Sequence, residues 1–256
     1  MQASMDIYQD RFVAFLDIMG FKNYVYTTLD KNENLNMIHK VLSYIEAERQ
    51  RNENIDDTFS LKDLGFEISF FSDSIVMSWS LDYKGNLFNL LLDIIHYQIP
   101  LANCGFFLRG GIAYGKLYHS GQVVFGPALI EAYQLESQIA HYPRVIFNQE
   151  IIRPALDTTP PQNTPKDELD YIHNLIKETE MDGFYYVDFI SQRGEFDFQE
   201  EYFEFLKHIK GCIEKELLTN LKRPDILQKY AWLKTYYISV INQLSSIERD
   251  TYNLGF

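Results

Sequence analysis

An α+β fold is predicted, with a ferredoxin-like split βαβ core and a C-terminal helical appendage, from three features of the sequence. Strand-like and helix-like runs follow one another as β-α-β-β-α-β up to about residue 118, then as strand, helix and strand to residue 148, which is the split βαβ order. The second and third strand-like runs are parted only by Ser72 and Asp73, the spacing of a tight hairpin. Composition then shifts at 153–168, RPALDTTPPQNTPKDE, where four of the eight prolines fall, and clustered prolines mark a loop or boundary. The expected division is a core over 1–152 and a strand with helices over 153–256, packed on the core or on a dimer partner.

Each element has a local reason. RFVAFLDI at 11–18 is β-branched and aromatic, and Gly20 ends it. From about Tyr24 to Arg51, the residues Leu35, Ile38, Val41, Leu42 and Ile45 recur at helical steps, while Asn32, Asn34 and Asn36 mark a break or cap. Residues 52–64 are polar and read as a loop, and GFEISFF and SIVMSWS supply the hairpin strands. GNLFNLLLDIIHYQI at 85–99 is an amphipathic helix that Pro100 is expected to end, because proline has no N–H for the helical ladder. GFFLRGGIAYGKLY at 105–118 reads as a glycine-punctuated strand, followed by a Ser120-Gly121 turn and the short run QVVFG. Residues 128–140 read as a helix and 142–148 as a strand. Farther on, 184–190 reads as a strand, and 198–219 and 224–247 as two long helices in which no chemistry stands out.

Bulk composition narrows the function. Hydrophobic content of 46% and charged content of 23% suit a globular chain rather than a disordered one. The formal net charge is −13, and a duplex binder needs a cationic face to displace counterions, so nucleic acid is not an expected partner. An acidic protein can still hold a polyphosphate if divalent metals neutralise it locally. Cys104 and Cys212 lie far apart in sequence, without metal-ligand spacing, as suits a reducing, cytoplasmic setting. No signal-peptide pattern opens the chain, and apolar runs of about ten residues are too short for a membrane span.

Two carboxylates interrupt apolar sequence. Asp17 lies in VAFLDIMGF and Asp73 in ISFFSDSIVMS. A carboxylate buried without a partner is costly, so each calls for one. Taken singly, Asp73 reads as a turn aspartate, and Asp17 is as well explained by capping as by chemistry. Taken together, they sit where the end of the first strand meets the hairpin turn in a split βαβ sheet. Two carboxylates there can bind Mg²⁺ or Mn²⁺, and a pair of such ions suits in-line phosphoryl displacement. The six histidines have no metal spacing; His119 and His141 read as surface or core residues. Ser72 and Ser74 show no His and Asp partners for nucleophilic catalysis.

Four blocks, in order over about 11–148, resemble the class III nucleotidyl cyclases: Asp17-Ile18-Met19-Gly20-Phe21; Phe71-Ser72-Asp73-Ser74; Arg109 with Gly111, Ile112 and Gly115; and Gly126 with Ala132, Leu135 and Glu136. The resemblance implies that Asp17 and Asp73 bridge two divalent metals (Mn²⁺ or Mg²⁺), with the Ile18 carbonyl as a further ligand. It implies that the backbone N–H groups of Met19, Gly20 and Phe21 wrap the triphosphate, and that Arg109 contacts its phosphates. It implies a homodimer, with sites between protomers.

Two departures from the purine cyclases stand out. Where those enzymes place a Lys and an Asp to read the base, this chain has Ser69 and Val123. Where they place an Asn and an Arg for the transition state, it has Ile130 and Gln134. The phrase from Gly126 to Glu136 is similar to the bacterial Pycsar cyclases of antiphage defence, which make cyclic UMP or cyclic CMP. That resemblance implies a base pocket involving Ser69, Phe71 and Val123, a UTP or CTP substrate, with UTP favoured, and a separate effector that senses the cyclic nucleotide. The alternatives are a catalytically inactive nucleotide-binding or regulatory module on the same fold, a purine (adenylate) cyclase, and, as a lesser reading, another palm-type phosphoryl transferase.

Overall fold

A computed structural model describes residues 7–29, 32–53, 61–179 and 182–256. Its centre is a mixed sheet opened by β1 (Gln9–Ile18), whose alternation sends Phe12, Ala14, Leu16 and Ile18 into the main core. The expected long helix arrives as two, α1 (Phe21–Thr27) and α2 (Asn32–Glu53), with the break just ahead of the asparagines. Of the polar stretch 52–64, residues 54–60 lie outside the described chain; Glu53 still belongs to α2, and Leu61–Leu64 form a 3₁₀ turn.

β2 (Phe66–Phe71) and β3 (Ser74–Ser80) form the hairpin, with Phe71 opposite Ser74 across the two-residue turn. Ser72 takes φ 58°, a left-handed conformation that costs a non-glycine residue about 1 kcal/mol or more.

α3 (Asn86–Asn103) runs through Pro100 instead of ending there. The proline leaves the His96 carbonyl without its helical donor, and the Tyr44 hydroxyl of α2 donates to that oxygen at 3.1 Å. A tertiary partner thus makes good the missing bond.

β4 (Leu108–Ser120) begins later and ends later than its sequence suggests, and β5 (Val123–Phe125) folds back on its end. α4 (Pro127–Gln134) stops short of residue 140 because the chain widens into a π-turn over Leu135–Ile139, with Ala140 N–H donating to Leu135 O at 2.8 Å. β6 (Val145–Phe147) is short, and its parallel pairing to β4 covers only Val145 opposite Gly110 and Ile146 opposite Gly111.

The proline-rich stretch, read as a loop, contains most of α5 (Ile152–Asp157) and the start of α6 (Pro165–Asn174). Pro165 occupies the first turn of α6, where no donor is lost, and Thr164 and Asp167 form a reciprocal capping box. β7 (Ile176–Glu178) and β8 (Tyr185–Val187) follow; β8 is shorter than the apolar run 184–190, as its pairing ends at Val187. α7 (Gln199–Thr219) matches expectation. The last expected helix splits into α8 (Pro224–Ile241) and α9 (Ser246–Thr251), the latter begun by a Ser245/Glu248 capping box.

The strand order is β2-β3-β1-β4-β6-β8-β7. β3 lies between β1 and β2 and runs antiparallel to both, while β4 flanks β1 antiparallel. Strands from the C-terminal part extend the same sheet through β8 on β6. α3 packs Leu87, Leu90, Leu91, Ile94 and Ile95 against one face, all fully buried. The other face carries a smaller cluster, in which Ala128 and Ala132 of α4 meet Val13, Val76 and Ala113. Gly111 allows this approach: a β-carbon there would lie 2.4 Å from the Ala132 carbonyl oxygen. Among the described residues no helix is long and apolar enough to cross a membrane.

Candidate active site

The β1 alternation that buries Leu16 and Ile18 turns Asp17 to the α4 face, at the end of the strand. Asp17 is in register with Ser74 on one side and with Arg109 on the other. The hairpin turn folds onto the same strand end, because Ile18 N–H donates to the Asp73 carbonyl at 3.1 Å. Asp17, Asp73 and Arg109, widely spaced in sequence, therefore meet at one end of the sheet.

Arg109 forms the hub. Its Nε donates to Asp17 Oδ2 at 3.0 Å, and its Nη2 lies 2.7 Å from Glu136 Oε1. Glu136 belongs to the π-turn, and its side chain is only 4% exposed. The Glu136 contact is close but poorly aligned, so Oε1 lacks a well-formed hydrogen bond among the described residues. Burial raises the Asp17 carboxyl above its ordinary value, opposed by the Arg109 bond and reinforced by the Asp73 charge. Burial likewise raises Glu136, with Arg109 opposing and Asp17 and Asp73 reinforcing. The site is thus crowded with negative charge that one guanidinium only partly offsets.

These donors fit a hard divalent cation. Asp17 and Asp73 offer carboxylate oxygens of the kind such an ion takes, while Glu136 Oε1 is ion-paired to Arg109 and no group of three or more His, Cys, Asp or Glu among the described residues is placed to hold a metal. In a strand the N–H and C=O of one residue point the same way, so the Ile18 carbonyl is aimed toward the turn bearing Asp73.

The backbone beyond Asp17 divides in two. Met19 N–H is already engaged, donating to Phe107 O at 2.9 Å. Gly20, at φ 79°, turns the chain into α1, and its carbonyl accepts from Asn23 and Tyr24. Among the described residues the N–H groups of Gly20 and Phe21 have no backbone acceptor. The Phe21 side chain is buried in the core.

The expected base-pocket residues Ser69, Phe71 and Val123 do not come together within one chain, because Phe71 lies at the Asp17 end of the sheet and Val123 pairs with Ser120 at the opposite end. Phe71 is 85% exposed beside the hairpin turn, while Ser69 is buried opposite Val76. Val123 is exposed on β5, whose turn is tied to β2 by Gly121 N–H donating to Glu67 Oε2 at 3.1 Å. Ile130 and Tyr133 are exposed on α4; Gln134, its last residue, is exposed too. His119 is a core residue bonded to Ser78 at the opposite end of the sheet; burial, then Arg11, pushes its pKa down to about 3.

One residue joins the site without having been chosen from the sequence, and a second feels its charge. Glu136 stood in a recognised block, where a lone carboxylate beside Leu135 was the available signal. Lys229 of α8 lies within electrostatic reach of Asp17 and Arg109. Nothing in the local pattern of α8 marks it out. Neither a protein-family model nor a curated protein matches the chain.

Proposed function

We propose that the protein is a nucleotidyl cyclase. It would convert a pyrimidine nucleoside triphosphate, UTP before CTP, to the 3′,5′-cyclic monophosphate and pyrophosphate, as a second-messenger signal in antiphage defence. The observation that carries this reading is the meeting of Asp17 and Asp73 at one sheet end, with Arg109 in register with Asp17. The interleaved order β2-β3-β1-β4 supports the resemblance to class III cyclases.

Asp17, Asp73 and the Ile18 carbonyl would hold two Mn²⁺ or Mg²⁺ ions. Bound there, the ions supply the positive charge that acidifies the ribose 3′-hydroxyl and stabilises the displaced phosphate oxygens. Arg109, retained by Glu136, would turn its guanidinium from Asp17 to the phosphates. Gly20 and Phe21 would present their N–H groups to the triphosphate, whereas Met19 N–H is taken by the Phe107 carbonyl. The exposed Phe71, Ile130 and Tyr133 support a homodimer formed through the α4 side, with Val123, at the far end of the sheet, available only to a partner's base pocket.

One observation favours a second reading, a nucleotide-binding or regulatory module without turnover: Arg109 is held by Asp17 and Glu136 in a self-contained ion-pair set. Incubation with ATP, GTP, CTP and UTP separately, in Mn²⁺, with products read by mass spectrometry, separates the two. A cyclic pyrimidine nucleotide supports the proposal. A cyclic purine keeps the reaction and removes the pyrimidine assignment, and no cyclic product from any of the four favours the module.

A further inference from the structure

The sheet ends in β7 on one side and in β2 on the other. An edge strand offers unpaired backbone N–H and C=O groups to any other strand, and folded proteins guard such an edge by shortness, lysine, proline or a bulge. β7 is guarded, being three residues long and carrying Lys177 and Glu178. β2 is not. It runs over Phe66–Phe71 without lysine or proline, and its register against β3 is unbroken by a bulge. Its one charged residue, Glu67, is held by the β5 turn, where Gly121 N–H donates to Oε2 at 3.1 Å.

The phase of the ladder fixes which backbone groups of β2 face outward. Ser80 N–H donates to Gly65 O at 3.1 Å, in step with the β2–β3 register. Bonded pairs alternate along an antiparallel ladder, so Gly65, Glu67, Ser69 and Phe71 turn their backbone groups to β3. Phe66, Ile68 and Phe70 turn theirs outward, where they meet no hydrogen-bond partner among the described residues. These three residues are symmetric about Ile68. A two-fold axis there sets Ile68 opposite Ile68 of a second copy and Phe66 opposite its Phe70, so every outward N–H and C=O is paired. The same register sets Glu67 opposite the second copy's Ser69. An axis at Glu67 would bring two carboxylates face to face, which is unfavourable, and an axis at Ser69 would leave Phe66 without a match inside the strand.

We infer that β2 is an interaction edge that pairs antiparallel with β2 of a second copy of this chain, in the register centred on Ile68, so that two sheets become one. The contact is isologous and uses up both β2 edges, so this association closes at two copies. It lies at the sheet edge, apart from the α4 side, and does not depend on the cyclase reading.

The test uses the full chain carrying Cys104→Ser and Cys212→Ser, with Glu67→Cys and Ser69→Cys introduced singly and together. Positions 67 and 69 of the two copies face each other in a non-bonded pair, where side chains are close enough for a disulfide. Oxidised glutathione should join the double variant into a covalent dimer on a non-reducing gel and leave each single variant as one chain. In the unmodified protein, hydrogen–deuterium exchange of the Phe66, Ile68 and Phe70 amides should slow as protein concentration is raised. This second measurement needs no substitution and decides the matter should the double variant fail to fold. A folded double variant that does not cross-link would overturn the inference, and so would single variants that cross-link equally well. Exchange of the three amides that is indifferent to concentration would overturn it too, and would give the edge to a strand from another protein or to solvent.

Discussion

Replacing Arg109 by methionine keeps much of the side-chain volume and removes the charge that separates three carboxylates. The wild-type guanidinium sits 3.0 Å from Asp17 and 2.7 Å from Glu136. The hydrogen bond to Asp17 contributes about 1.5–3 kcal/mol and the ion pair to the buried Glu136, poorly aligned as a hydrogen bond, a further ~1 kcal/mol. Asp17 and Arg109 remain 20% and 25% exposed, so solvent screening trims the upper end. The loss should be about 2–4 kcal/mol at pH 8, or a Tm lower by roughly 5–12 °C for a chain of this size.

The loss should also depend on pH. Asp17 and Glu136 are already raised in the folded protein, mainly by burial, and removing Arg109 raises them further. The folded variant then binds more protons than its unfolded chain over a wider range, so its stability falls more steeply as pH rises. The gap from wild type should be small at pH 5 and full at pH 8. Urea unfolding followed by tryptophan fluorescence reads both values, and added Mn²⁺ should narrow the gap at pH 8 by replacing the lost positive charge. A gap equal at the two pH values would refute the electrostatic account, and indifference to Mn²⁺ would remove the cation-site reading.

Three other outcomes are expected. Asp73→Ala should abolish turnover while circular dichroism stays native, and activity retained in that variant would remove Asp73 from the site. Asp93 accepts from Trp79 Nε1 at 2.7 Å and is pushed up to about 7 by burial; it weighs on stability increasingly as pH climbs from about 4 to 7. Asp93→Asn, which keeps the acceptor, should therefore raise stability by about 1–3 kcal/mol at pH 8 and by little at pH 4, and equal effects at both would contradict the burial argument. Tyr236→Phe removes the hydroxyl shared by Asp188 and Ile190 and should cost about 1–3 kcal/mol; a Tm within error of wild type would show that the helix is anchored by ring packing alone.

Much of the sheet, and the meeting of Asp17 with Asp73 in the candidate site, was legible because local pattern and final contact coincide there. β1 alternates cleanly, the hairpin has no room for a longer turn, and Asp17 and Asp73 interrupt apolar runs. What stayed hidden depends on partners distant in sequence. Pro100 reads locally as a stop, and only Tyr44, 52 residues from His96, removes the penalty. α6 and α9 carried visible signals in Thr164 with Asp167 and Ser245 with Glu248, but proline density and a continuous apolar period outweighed them. β6, β7 and β8 are three residues each, too short to show a period, and exist through pairing.

The pairing of Asp17 with Arg109 also bears on how the chain finds its register. Shifting β1 by one residue against its neighbours would exchange the two faces of the strand. Asp17 would then enter the leucine-lined space under α3 without its guanidinium, while Leu16 or Ile18 would face the carboxylates. Such a misfold loses apolar burial and strands a charge at the same moment. The residue proposed for chemistry thus also acts as a proofreader during folding, and a neutral replacement at position 17 should loosen strand registration even in a protein never asked to turn over a substrate.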